Sequence, residues 1–164
     1  MHARHQAWLD QARRDLDAAR VLARERYFEQ ASFYAQQAGE KAVKALLFSV
    51  GAPPPIKGPK GHAIGEMMSG FCTLLDDDTL NTAALELKHH EQGSRYPSSA
   101  TSADGREKAP FEVYDSSTAD NAIAHAEVLV RFSTWAVERI EAVWDEAQSE
   151  IPTIVAVVSG LLRS

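Results

Sequence analysis

The chain has 164 residues, of which 45% are hydrophobic and 24% charged, and its formal net charge is −6. These values are typical of a soluble globular protein and suit a single domain with one substantial core. The charge is uneven, because residues 1–60 hold ten Lys/Arg and six Asp/Glu (net +4) and residues 61–164 hold seven and seventeen (net −10). This distribution argues against a protein that coats DNA along its whole surface, and leaves open a local basic patch or electrostatic pairing between two copies.

Cysteine content and hydropathy bear on the compartment. Cys72 is the single cysteine, which excludes an internal disulfide and a CxxC metal clip, and its apolar neighbours favour a place in the core. The first ten residues lack the apolar run of a signal peptide, and no stretch approaches the ~20 apolar residues of a membrane span. We therefore expect a cytoplasmic protein without a membrane partner, and the compact length favours a prokaryotic source.

Two amphipathic helices are predicted at the start of the chain, one from about His5 to Arg26 and one from Tyr27 to Leu47. Because the turn between them is very short, we expect them to be antiparallel neighbours. Alanines recur at steps of three and four along one face of the second helix, which indicates that another helix packs very close to it. These alanines are Ala31, Ala35, Ala38, Ala42 and Ala45.

A polar string, Gln36, Gln37, Glu40, Lys41 and Lys44, lies between these alanines. A purely structural helix does not require it. Its amides and lysines suit hydrogen bonds to the base and phosphate of a nucleotide, with lysine acting as a point charge. The alternatives are a solvated helix face with one surface ion pair, or a seam between two copies.

Glycine and three prolines end the second helix and lead into the loop KGPKGH at residues 57–62. Because a helix N-terminus attracts anions, Lys60 and His62 are candidates for contact with a phosphate. The loop is not a P-loop, since the GxxxxGK[ST] spacing is missing. A histidine that only orients the start of the next helix is the alternative.

The third and fourth helices are predicted at Ala63–Leu75 and Leu80–Glu91, with Asp78 or Thr79 as the cap of the fourth. Glu86 and His90 stand four residues apart, a spacing that could share a metal ion. Without a third ligand this pattern is weak, so we predict no metal site and no cofactor.

No helical period appears from Gln92 to Ser116, which is long for a loop in a compact domain. Its best candidates for binding are Arg95, whose guanidinium forks to phosphate or carboxylate, and Tyr96, whose ring stacks on a base. Alternatively, this loop straps across the bundle and Arg95 pairs with an acidic side chain.

A long closing helix is predicted at Ser117–Gln148, with Ser117 and Asp120 resembling a capping box. The apolar tail Ile151–Leu162 leaves helix and strand both open. No strand pattern precedes it. We therefore predict an all-α fold, an antiparallel up-and-down bundle of four to five helices with a long loop before the last helix. Residues 1–148 form the bundle and 149–164 a separate tail.

Four features follow one another in order: an Arg/Asp/Leu-rich helix at 13–19, the string ASFYAQQAGEKAVKAL at 31–46, Gly61-His62 before the third helix, and Arg95-Tyr96-Pro97 in the long loop. Together they resemble the HEPN domain family (higher eukaryotes and prokaryotes nucleotide-binding), over roughly residues 6–143. The resemblance implies an antiparallel helical bundle, usually a homodimer. It also implies frequent pairing with a minimal nucleotidyltransferase in toxin–antitoxin or stress-response settings.

Some members of the family are metal-independent ribonucleases, which carry an Arg followed by four to six residues and a His. No Arg of this chain has a His at that spacing. The expected function is therefore that of a non-catalytic, homodimeric HEPN protein that binds a nucleotide, RNA or a nucleotidyltransferase. The residues expected to bind are Gln37, Lys41, Lys44, Lys60, His62, Arg95 and Tyr96.

Two alternatives stay open. One is a ribonuclease toxin with an altered site, in which Arg95 works with His62 or His125. The other is a purely structural oligomerisation module, in which the alanine stripe and the apolar tail form the seam.

Overall fold

The computed structural model describes residues 2–52, 54, 62–75, 78–97 and 101–161 of the chain. Apart from an isolated bridge between Thr101 and Glu107, these residues contain no β-structure. The elements are α1 (His2–Arg24), α2 (Phe28–Ser49), α3 (Ile64–Leu75), α4 (Asp78–Lys88), the single turn α5 (His90–Gly93), a 3₁₀ turn (Pro110–Glu112) and α6 (Ser116–Leu161). The predicted all-α helical bundle is confirmed. None of the helices in these ranges combines the length and apolarity needed to cross a membrane.

The turn between α1 and α2 has the hydrogen bonds of a Schellman motif. Tyr27 N donates to Leu22 O at 2.9 Å, and Arg26 N donates to Ala23 O at 3.1 Å. Arg26 sits at the position that usually holds glycine, with a φ of 66°. The turn folds α2 back along α1, as its length predicted.

The alanine stripe of α2 is fully buried within the chain, facing α1 and α6. At Gly39 the approach is closest, because a methyl group there would lie 2.6 Å from Leu87 Cδ1 and 3.2 Å from Leu129 Cδ1. The predicted close packing is confirmed. A seam between copies through these alanines is wrong, because this chain already covers them. Cys72 is partly buried against the same core.

The fourth predicted helix is split. α4 begins at Asp78 and ends at Lys88, and α5 forms one separate turn after His89. The long loop that follows has local order, since Arg106 binds both carboxylate oxygens of Glu112 at 3.2 and 2.8 Å. These bonds from Arg106 hold the pKa of Glu112 at about 2.

The last helix begins one residue earlier than predicted, and its cap differs. Asp115 Oδ1 accepts hydrogen bonds from the backbone N and the Oγ1 of Thr118, both at 2.8 Å. The capping box expected at Ser117 and Asp120 is therefore wrong, because Asp115 precedes the first helical residue and reaches the third amide of the helix. The bonds from Thr118 also lower the pKa of Asp115.

α6 also extends beyond the predicted end at Gln148 and continues as helix to Leu161. The backbone of residues 151–161, which the sequence left open between helix and strand, is therefore helical. With ~1.5 Å of rise per residue, the 46 residues of α6 span about 69 Å, roughly twice the length of α2.

Candidate functional site

The polar string of α2 lies inside the bundle rather than on its surface. Gln36, Glu40 and Lys44 are buried, while Gln37 and Lys41 are half-buried. A solvated helix face is therefore the wrong interpretation of this string. Buried polar groups need partners, and these residues find them in one connected network.

Glu40 is the centre of this network. Its Oε1 accepts a hydrogen bond from Lys44 Nζ at 2.7 Å, and its Oε2 accepts bonds from Gln36 Nε2 and His62 Nδ1, both at 3.0 Å. The Glu40 and Lys44 side chains are only 5% and 2% exposed. Burial by itself raises the pKa of Glu40, but the bonds from Lys44, His62 and Gln36 outweigh it and lower that pKa.

The network continues from α2 to α1 through Lys41. Lys41 Nζ lies 2.5 Å from Asp15 Oδ2 and 3.1 Å from Gln37 Oε1. Gln11 donates to the other oxygen of Asp15 at 2.6 Å, and Gln37 donates to Gln36 Oε1 at 2.7 Å. This side of the network joins two helices whose paired residues lie 26 positions apart.

In the other direction the network reaches the long loop. Glu91 Oε1 lies 4.0 Å from His62 Nε2 and 3.7 Å from an Arg95 terminal nitrogen. The Nε of Arg95 donates to the backbone O of Glu91 at 2.8 Å. The guanidinium carbon of Arg95 lies 5.0 Å from the centre of the Phe33 ring and 5.2 Å from that of Tyr96, within cation–π range of both.

The structure brings most of the predicted site residues together, although their access to solvent differs. Six belong to the network or touch it: Gln37, Lys41, Lys44, His62, Arg95 and Tyr96. Lys60 lies outside the described residues. The side chains of His62 and Arg95 are 37% and 39% exposed and Tyr96 is 53% exposed, whereas Lys44 is enclosed. Among the predicted site residues that the structure describes, His62, Arg95 and Tyr96 are accessible to a ligand, together with part of Gln37 and Lys41.

Three partners in this arrangement were missed from the sequence. Asp15 and Phe33 meet their partners across helices, a relation that one sequence does not reveal. Glu91 could have been found, since it precedes Arg95 by four residues, the spacing of an ion pair on a helix.

His90, considered above as half of a metal pair, faces a tyrosine. Its Nδ1 lies 3.2 Å from Tyr114 OH, and the two rings meet edge to face at 5.6 Å. Burial lowers the pKa of His90 to about 4, and the neighbouring His89 and His125 add to this effect, against the opposing charge of Glu86. No group of three candidate metal ligands occurs among the described residues.

These features define a helical-bundle protein in which a buried polar network crosses the central helix and ends in an exposed Arg–aromatic group. The chain belongs to the HEPN domain family, whose model matches residues 5–139 and thus every residue of the network. The resemblance noted in the sequence is confirmed.

Two solved structures are similar to this chain. TT1696 from Thermus thermophilus is 26% identical with a TM-score of 0.70, covering 81% of this chain and 98% of its own. ST0689, described as an archaeal HEPN homologue, is 30% identical with a TM-score of 0.65, covering 82% of this chain and 98% of its own. A comparison with curated proteins finds no match.

Proposed function

We propose that this HEPN protein is a non-catalytic, homodimeric binding protein that takes a nucleotide at the end of the polar network. The observation that supports the proposal is Arg95, whose guanidinium lies within cation–π range of two aromatic rings and which, like the half-exposed His62, lies near Glu91. Arginine presents a planar fork of donors that matches a phosphate, and exposed aromatic rings can stack on a base.

The surroundings of Arg95 prepare its guanidinium for an anion. Its Nε is bound to a backbone oxygen, and the rings of Phe33 and Tyr96 limit its orientation. The terminal nitrogen nearest to Glu91 is 3.7 Å away, longer than a hydrogen bond. Within the part of the chain that the structure describes, a phosphate that binds these terminal donors competes with the Glu91 ion pair and breaks no hydrogen bond.

The buried part of the network has a positioning role in this proposal. The charges of Lys41 and Lys44 are balanced by Asp15 and Glu40, so neither lysine is needed as a phosphate ligand. Glu40 holds His62 by its Nδ1, which directs Nε2 toward Glu91 and the Arg95 side of the site.

Thermal unfolding in the presence of nucleotides tests the proposal. A ligand at about 100 times its Kd adds ~2.7 kcal/mol, which raises the Tm of a chain of this size by roughly 5–10 °C. We expect such a rise with AMP, ATP or GTP, and its loss in Arg95→Ala and His62→Ala. Arg24→Ala, an exposed arginine at the end of α1, is the control that keeps it. No rise with any nucleotide would contradict nucleotide binding.

A protein partner is the second part of the proposal. In keeping with the HEPN family, we propose that the dimer binds a minimal nucleotidyltransferase in a toxin–antitoxin or stress-response setting within the cytoplasm. A neighbouring gene for such an enzyme, and co-purification of the two proteins, would support it. Separate elution of the co-expressed pair would contradict it.

One observation favours the ribonuclease alternative. His62 and Arg95 both face Glu91, so a histidine and an arginine converge in space although their sequence order lacks the ribonuclease motif. The other candidate histidine, His125, is instead close enough to His90 to help lower the pKa of His90. Incubation with total RNA in the presence of EDTA separates the two functions. Cleavage that is lost in both Arg95→Ala and His62→Ala would overturn the non-catalytic proposal.

A further inference from the structure

A cleft opens where α1 ends and where α2 and α6 begin. Its volume is about 970 Å³, at the upper end of the range that small-molecule sites occupy. It shares no residue with the polar network or with the group around Arg95. Apolar and charged side chains both line it, and the apolar ones are Val21, Ala23, Phe28 and Ile123.

Half of the charged side chains that line the cleft are already paired. Arg20 binds Glu127 Oε1 at 2.8 Å and Asp17 Oδ1 at 2.9 Å. Asp115 Oδ1 accepts the two hydrogen bonds from Thr118 that cap α6. These interactions occupy Arg20, Asp17 and Asp115, so the charges that can attract a ligand must come from the other lining residues.

The other charged lining residues are Arg24, Arg26 and Asp120, which are all exposed. Within the described part of the chain, no carboxylate lies at ion-pair distance from either arginine. A guanidinium presents a fork of donors that matches the two oxygens of a carboxylate. Two positive charges against one negative charge favour a ligand with a single negative charge over a polyanion.

The backbone of Arg26 is an independent reason to assign a role to its side chain. Its φ of 66° lies in the left-handed region, at the turn position that usually holds glycine. An arginine is strained in this conformation, and backbone strain of this kind is concentrated at functional sites. The chain therefore holds a guanidinium beside the cleft at a position where glycine would fold more easily.

We propose that this cleft binds a small organic carboxylate with an apolar body, such as a medium-chain fatty acid or an aromatic acid. Arg24 and Arg26 bind the carboxylate, and the apolar body covers Phe28 and Ile123. This ligand differs from the nucleotide of the proposed function, and the inference does not depend on nucleotide binding.

Titration of the full chain with octanoate and 2-naphthoate at pH 7 tests the site. Isothermal calorimetry should give a Kd on the order of 0.1–1 mM, as expected for ligands of this size. The uncharged amides of the two acids should bind about tenfold more weakly, because they lose the charge-assisted hydrogen bonds. Backbone amide NMR shifts on binding should be confined to residues 17–28 and 115–123.

Variants of the three exposed charged residues identify the groups that bind. Arg24→Ala and Arg26→Gly should each raise the Kd of both acids about tenfold. Arg26→Gly also relieves the unfavourable φ, so loss of folding cannot explain its weaker binding. Asp120→Asn should lower the Kd by about two- to threefold, because it removes a like charge. Arg14→Ala is the matched control that leaves the Kd unchanged, since Arg14 is an exposed arginine of α1 outside the cleft.

Several outcomes would overturn the inference: no saturable binding of either acid, equal binding of acid and amide, or a Kd that Arg24→Ala and Arg26→Gly leave unchanged. Loss of carboxylate binding in Arg95→Ala would also overturn it, because the ligand would then lie at the Arg95 site. The nucleotide-induced rise in Tm should persist in Arg26→Gly. Its absence in the wild type would count against the proposed function alone.

Discussion

Replacing Lys44 by methionine should destabilise the protein by more than the loss of one ordinary hydrogen bond. The substitution keeps a side chain of similar length but removes the ammonium that Glu40 Oε1 accepts at 2.7 Å. Glu40 then stays buried, and its remaining hydrogen-bond donors among the described residues are Gln36 and His62. Breaking a buried ion pair on one side costs ~3–5 kcal/mol. Because two donors to Glu40 remain, we expect the free energy of unfolding to fall by an amount at the lower end of this range, about 3 kcal/mol.

The double variant Glu40→Met/Lys44→Met separates the contribution of the ion pair to stability from that of side-chain packing. Replacing both charges by apolar groups of similar volume is often close to neutral, so the double variant should be more stable than Lys44→Met by ~2 kcal/mol. The measurement is urea unfolding followed by far-UV circular dichroism at pH 7.

Acidification gives a second test of the same pair. The folded-state pKa of Glu40 lies below its ordinary value of 4.5, so its contribution to stability is present above pH 4.5 and is lost as the pH falls through the folded pKa. The difference in unfolding free energy between wild type and Lys44→Met should therefore narrow on acidification. A single variant within about 1 kcal/mol of the wild type at pH 7, or a double variant that is no better than the single one, would refute the reasoning.

Three further predictions concern the backbone, a buried hydroxyl and a histidine. Arg26→Gly should stabilise the protein by ~1 kcal/mol, because glycine adopts a φ of 66° without strain; an unchanged urea midpoint would count against it. Ser133→Ala should raise the free energy of unfolding by ~1 kcal/mol, since Ser133 Oγ is buried without a partner among the described residues, and a lower Tm would contradict this. His90 has a folded pKa of about 4 against 6.5, so its neutral form contributes stability above pH 6.5 that is lost as the pH falls toward 4. A comparison of wild type and His90→Asn from pH 7 to 4 should show a shallower loss in the variant, and parallel curves would exclude this role for His90.

Local patterns were enough to predict the helices and the face of α2 that packs. The short connection at residues 25–27 favours antiparallel neighbours, and small residues at helical spacing indicate a close contact whichever helix provides it. The cap of α6 was missed because Asp115, Ser117 and Asp120 are all competent N-caps, and only the position of the first helical turn selects among them. The split after Lys88 was missed for a similar reason, since the apolar period of α4 does not show where the backbone turns.

The sequence by itself determined the helical bundle, its family and the residue types of the candidate site, because periodicity and short motifs are local properties. Only the tertiary structure decided that Lys44 is enclosed while Arg95 is exposed, and that Glu91 stands between His62 and Arg95. Burial and charge pairing depend on which helices cover a face. Asp15 and Lys41 are 26 positions apart in the sequence, and only the fold brings them into contact. The polar string therefore showed from the sequence which chemistry is present, and the packing around α2 decided which part of it can reach a ligand.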